Sequence, residues 1–231
     1  MKKVLLTFCL LVSTFMLTGC KNEGIKFKQN YESLNGKENK YGGTYRSVTI
    51  PENNPFVYTT ATDIIEKIEN NETFYVYFGD ELCPWCRSVI EKASVIAMNS
   101  HINKIYYVDI WNENGEETLR DKITLNEDGT LNKINEGTDE YKKLLEYFNE
   151  VLEEYNLTDN KGEKVNTNEK RIYAPNFIYV SSGKAVKMIE GVSSKQENAN
   201  DELTNEILQD EEGIFKEFFN LNKVCTEKDK C

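Results

Sequence analysis

Histidine is almost absent, with His101 the only one in the chain. That leaves little room for histidine-based catalysis or a multi-histidine metal site. Positive charge is also scarce: 28 Lys and Arg stand against 39 Asp and Glu, a formal charge of −11. Removal of residues 1–19 would take Lys2 and Lys3 away, leaving 26 against 39 and a charge of −13. Such a chain repels phosphate backbones, which argues against nucleic-acid binding. It is weakly repelled by anionic bilayers too, so any membrane attachment is expected to be covalent. Long apolar runs are missing: Val4 to Met16 is too short for a spanning helix of about 20 residues. No internal repeat is visible. What is present supports a packed core, with 39% hydrophobic and 11% aromatic residues over 231 positions, room for one medium domain.

The first twenty residues read as an address rather than as fold. Lys2 and Lys3 form a positive start, Val4 to Met16 an apolar stretch, and Leu17-Thr18-Gly19-Cys20 follows. This resembles a bacterial lipobox, in which the leader is cut before a cysteine that carries diacylglycerol. The resemblance implies a signal peptide over 1–19 and lipidation at Cys20. An ordinary cleaved leader with a chance cysteine, or an uncleaved anchor helix, is the alternative. Residues 20–50 are polar without a sustained apolar period and are expected to be a flexible tether. The address places the protein outside the cytoplasm, lipid-anchored at the cell membrane, where disulfides persist. Cys9 would leave with the leader and Cys20 become a thioether. Cys83, Cys86, Cys225 and Cys231 then remain as thiols, with three possible pairings.

A domain is expected over 51–222, followed by a Cys-containing tail over 223–231. Thr60-x-x-Asp63 looks like a capping signal, with Ile64, Ile65 and Ile68 following at helical spacing over about 62–70. Thr73 to Phe78 reads as a strand buried on both faces. Val89, Ile90, Ala93, Ile96 and Ala97 make a helical stripe after Pro84, and Ile105 to Trp111 is the next strand. Residues 112–137 and 156–170 are polar and turn-rich and read as insertions. Asn126-x-Asp128-Gly129 has a partial likeness to a calcium loop but lacks both key carboxylates, with Thr124 and Asn135 in their places. Thr138 caps a helix whose stripe runs from Tyr141 to Tyr155. Ile172 to Val180, a turn at Ser181–Lys184 and a return over Ala185 to Ile189 read as a hairpin. Leu203 to Phe219 is a last helical face that Gly213 is expected to split.

Cys83-Pro84-Trp85-Cys86 lies between the buried strand and the amphipathic helix, and this context carries the chemistry. A cysteine at a helix N-cap meets unpaired backbone N–H groups and the positive end of the helix dipole, which favour thiolate. Proline at the first helical position presets φ and sacrifices no hydrogen bond. Cys86 is one turn on, within reach of the first sulfur. Cys83 would attack, and Cys86 would resolve the mixed disulfide. Arg87 reads as a solvated surface residue. Two other readings stay open: half a zinc site with Cys225 and Cys231, whose C-x5-C spacing is a poor knuckle, and a structural disulfide closing a very small loop.

The order helix, strand, CxxC, helix, strand, then a proline opening a hairpin and a final helix, resembles thioredoxin. The segment Phe78 to Arg87, with Tyr-Phe-Gly before Cys-Pro-aromatic-Cys, is most similar to bacteriocin transport accessory proteins of Gram-positive bacteria. The resemblance implies an α/β fold, a three-layer α/β/α sandwich with an insertion before the cis-proline strand. It implies a cis bond at Ala174-Pro175, Pro175 facing Cys83, and Pro84, Trp85, Ala174 and Pro175 meeting the substrate. Thioredoxins carry a buried acid six positions before the first cysteine; here that position is Tyr77, and the nearby Asp80 and Glu81 are expected to be exposed. Cys225 and Cys231 are expected to form a structural disulfide, with an electron-relay pair or pairing to a partner as alternatives. The implied function is an extracytoplasmic thiol–disulfide oxidoreductase needing no cofactor or metal. Its partners would be cysteine-containing exported proteins or peptides and a redox partner protein. The alternative is an accessory protein that assists peptide secretion with little turnover.

Overall fold

The computed structural model describes residues 23–39, 42–111, 117 and 119–228, the last six for their backbone alone. The expected leader, Cys20 and Cys231 lie outside the described residues, as does the side chain of Cys225. No helix among the described residues is long and apolar enough to cross a membrane.

The centre of the molecule is a mixed five-stranded sheet. In chain order its strands are β1 (Phe56–Tyr58), β2 (Phe74–Gly79), β3 (Ile105–Asp109), β8 (Asn176–Ser181) and β9 (Lys184–Ile189). They lie in the order β1-β3-β2-β8-β9. β1, β3 and β2 run parallel, and β8 and β9 are antiparallel. Every residue of β2 is buried, because both faces of the sheet are covered by helices. Strand alternation sends Tyr75, Tyr77, Tyr107, Phe177 and Tyr179 to one face. It sends Phe74, Val76, Phe78, Val108, Ile178 and Val180 to the other.

The first face packs against α1 (23–32), α3 (Pro84–Asn99) and α5 (Asn205–Lys228). The second packs against α2 (Ala61–Glu69) and α4 (Asp139–Phe148). α2 starts as the capping signal required: Thr60 Oγ1 accepts the Asp63 N–H at 3.1 Å, and the Asp63 carboxylate accepts the Thr60 N–H at 3.0 Å. α5 runs unbroken through Gly213, so no split occurs there.

Two expectations are corrected. The described part of 20–50 is not a flexible tether. Phe27 and Tyr31 of α1 are fully buried, and Val48 and Ile50 join the same core. Phe27 stacks on Phe56 at 4.3 Å between ring centres. The helix begun at Thr138 stops at Phe148; Leu152 and Tyr155 are buried as expected, but from extended chain. The polar stretches also carry regular structure. β4 (Asp121–Leu125) pairs with β5 (Leu131–Glu136), and β6 (Glu153–Thr158) with β7 (Lys164–Arg171). Both are two-stranded ribbons outside the main sheet. Asp128-Gly129 forms the turn of the first, with Gly129 at φ +81°.

Candidate active site

β2 delivers the chain to the carboxyl end of the sheet, and α3 leaves from it. The turn between them is held by Asp80: its carboxylate accepts the Leu82 N–H at 2.7 Å, and its carbonyl the Cys83 N–H at 3.3 Å. Asp80 is buried, a correction to its expected exposure. Its side chain is used inward, on the main chain, which sequence spacing does not show.

Cys83 is the N-cap of α3, in extended backbone, with Pro84 opening the helix. Its sulfur accepts the Cys86 N–H at 3.5 Å and donates to the Ala174 carbonyl at 3.4 Å. The Ala174-Pro175 bond is cis. Cys83 is partly exposed and Cys86 is buried, and both are free thiols. The two are driven apart in acidity. The hydrogen bond from the Cys86 side chain, helped by backbone N–H groups, holds the Cys83 thiol below its ordinary pKa despite burial. Burial pushes Cys86 well above its own. The result is an outer sulfur suited to nucleophilic attack and an inner one kept as a thiol until needed.

A groove of about 290 Å³ opens beside the outer sulfur. Cys83, Pro84 and Ala174 line it together with Tyr45, Trp111 and Tyr173. Trp85 is half-buried and Pro175 buried, and neither is part of that lining. Arg120, just before β4, and Arg171, the last residue of β7, also line it. Both guanidiniums are neutralised: Arg171 pairs with Asp121 at 2.9 Å and Glu117 at 3.4 Å. Arg120 pairs with Glu117 and donates to the Ile172 carbonyl.

Arg87 is not a solvated residue. It is buried and donates to the carbonyls of Arg46 (2.7 Å), Tyr31 (2.9 Å) and Glu81 (3.1 Å) and to Asn35 Oδ1 (2.7 Å). The guanidinium thus ends α1, pins the segment after it and fixes the turn before Cys83. No sequence pattern announces this, because its partners are mostly main-chain oxygens distant along the chain.

Tyr77 occupies the inner side of the site. Its ring lies between Phe177 and Tyr107, at 4.3 and 5.4 Å between centres. Its hydroxyl meets the Tyr31 hydroxyl at 3.0 Å. Burial raises the pKa of both phenols well above the ordinary tyrosine value.

Asp80, Glu81 and Asp109 bring carboxylate oxygens within 4.8 Å of one another. Burial lifts Asp109 to a pKa of about 7. Its carboxylate accepts the Trp111 N–H at 3.0 Å, so Asp80 and Asp109 both brace the main chain around the site. The chain matches no known family model and no curated protein.

Proposed function

We propose that this protein is a thiol–disulfide oxidoreductase of thioredoxin-like fold, lipid-anchored at Cys20 outside the cytoplasm, with Cys83 as attacking sulfur and Cys86 as resolving sulfur. The observation that carries the reading is the split pair. A helix-capping, partly exposed Cys83 with lowered pKa faces the Ala174 carbonyl, while Cys86 sits buried behind it. The strand order β1-β3-β2-β8-β9, with the dithiol after β2 and Pro175 before β8, supports the fold assignment.

In the reductive direction, the Cys83 thiolate attacks one sulfur of a substrate disulfide and releases the other as a thiolate. Cys86 then loses its proton and attacks Cys83, releasing the second substrate thiolate, which takes up a proton. Two electrons pass from the dithiol to the substrate. The reverse sequence oxidises a substrate dithiol. The groove and the Ala174 backbone would receive the extended chain around a partner's cysteine. Such partners are exported proteins or peptides and a separate redox partner.

The test is exchange with a model disulfide by the full chain. Cys83→Ser must abolish it, and retained activity defeats the proposal. Cys86→Ala must accumulate mixed disulfides with partners. Trapping of none favours an accessory protein that binds a secreted peptide without turnover.

A further inference from the structure

Three aromatic rings from distant segments meet at the groove beside the Cys83 sulfur: Tyr45, Trp111 and Tyr173. Each is half-buried, and each residue is fixed by contacts of its own. The Arg87 guanidinium lies over the Tyr45 ring, 5.7 Å from its centre, and the Tyr45 N–H donates to the Lys37 carbonyl at 2.8 Å. The Tyr173 hydroxyl donates to the Glu154 carbonyl at 3.3 Å and accepts the Asn156 N–H at 3.2 Å, which anchors the ring to β6. The Trp111 N–H is held by the Asp109 carboxylate at 3.0 Å. Leu82 and Ile110 extend the apolar lining. The groove is therefore a preformed recess, which takes a side chain without first having to order its own walls.

Charge decides which side chain. Arg120 and Arg171 also line the recess, and their side chains are only 10% and 9% exposed. Both are spent: Arg120 on Glu117, and Arg171 on Glu117 and Asp121, two positive charges against two negative. The other charged group in the lining is Asp80, whose carboxylate lies within 4.8 Å of those of Glu81 and Asp109. A substrate carboxylate would meet these acids with no unpaired cation in the described lining to receive it. A substrate cation would lie beside two guanidiniums, and the Asp80 carboxylate is already turned to the Leu82 N–H at 2.7 Å. Desolvating either charge carries a penalty that nothing here offsets, whereas an apolar side chain gains by leaving water. An aromatic side chain gains further from edge and face contacts with the three rings.

The occupant follows from the sulfur. Cys83 lines the same groove, so a chain disulfide-bonded to it stands at the groove's edge. In an extended chain, side chains two positions apart share a face about 7 Å from one another. Residues one or two positions from the substrate's cysteine are therefore the ones that reach the recess. We propose that the groove is a specificity subsite for a large apolar side chain, aromatic above all, within two residues of the substrate's cysteine. The substrates are then peptides or protein segments whose cysteines have hydrophobic, uncharged neighbours. This rests on the exchange reading above and leaves its chemistry unchanged: the Cys83 thiolate bonds to one substrate sulfur, and the other leaves as a thiolate with the electron pair of the broken bond.

The experiment uses the full chain, reduced, with symmetric disulfides of short peptides that carry one cysteine each. The two positions on either side of the cysteine are alanine, or one of them is Phe, Leu, Lys or Asp. Each rate at pH 7 is divided by the rate of the same peptide with dithiothreitol, which removes its intrinsic reactivity. Phe at the responsive position should raise this normalised rate about tenfold over alanine, and Leu about fourfold, while Asp should lower it. Tyr173→Ala and Trp111→Ala should each bring the Phe-to-alanine ratio below about threefold. The readout is a ratio within one variant, so a general loss of activity does not mimic it. Should either variant not fold, the wild-type series alone decides. A flat series, or one led by Lys or Asp, overturns this inference alone, as does an undiminished Phe preference in the folded variants. A protein that exchanges with none of the peptides, reduced with the disulfides or oxidised with the thiols, overturns the exchange reading and this inference together.

Discussion

The sulfur of Cys83 lies 3.4 Å from the carbonyl oxygen of Ala174, 91 positions along the chain. The contact joins the start of α3 to the loop entering β8, and it leaves the outer sulfur at the edge of the groove. Cys86, one helical turn deeper, is buried. Alkylation of the reduced native protein at neutral pH is therefore expected to label Cys83 and spare Cys86, read by peptide mass mapping. Unfolding before alkylation should label both. Equal labelling of the native protein would contradict the assignment of roles.

Arg87 carries a second expectation. Its four hydrogen bonds join α1, the segment after it and the turn before Cys83. Arg87→Ala leaves buried carbonyls without donors, at a cost of roughly 3 kcal/mol. The melting temperature should fall by roughly 6–12 °C. Arg87→Lys should recover little, because one ammonium cannot reach acceptors set around a planar fork. Thermal unfolding checks both, and a loss of under 2 °C for the alanine variant would show that the network is dispensable.

Phe27 tests whether the N-terminal segment is integral. It is buried and in ring contact with Tyr31, Phe56 and Tyr107. Phe27→Ala should cost about 3–5 kcal/mol. It should also expose 23–50 to limited proteolysis that the wild type resists. A segment that were merely a tether would be cleaved equally in both.

Stability should decline as pH rises through neutrality. Asp109 and Glu211 are both lifted by burial to pKa values of about 7, and neither oxygen of the Glu211 carboxylate has a hydrogen-bond partner among the described residues. A carboxyl whose folded pKa exceeds its unfolded value of about 4 favours the folded state when protonated. That contribution is complete below about pH 4 and is lost as pH climbs through 7. Glu211→Gln cannot ionise. Its melting temperature relative to wild type should therefore rise between pH 5 and pH 8, measured by scanning at matched ionic strength. A constant difference across that range would refute the assignment.

The turn carrying Cys83 and Cys86 was readable because its signals are local: a cysteine at the N-cap, a proline at the next position and a stripe of apolar residues behind them. The buried strand before it and the β8–β9 hairpin were readable for the same reason, since continuous apolar runs and a Ser-Gly turn are short-range patterns. The ribbons were not. All six residues of β5 are exposed, so no alternation marks a strand that buries neither face. α1 was missed because its buried anchors, Phe27 and Tyr31, are only two in a polar stretch. Arg87, Asp80 and Tyr31 were invisible as site residues because their roles come from main-chain groups and a hydroxyl brought close by folding.

The ordered helix α1 has a consequence for reach. Only three peptide steps separate Cys20 from residue 23, where the described helix begins, and fully extended they span about 10 Å. With a lipid on Cys20, the domain would have almost no leash. It would be held against the bilayer surface, and its partners would have to bring their cysteines there.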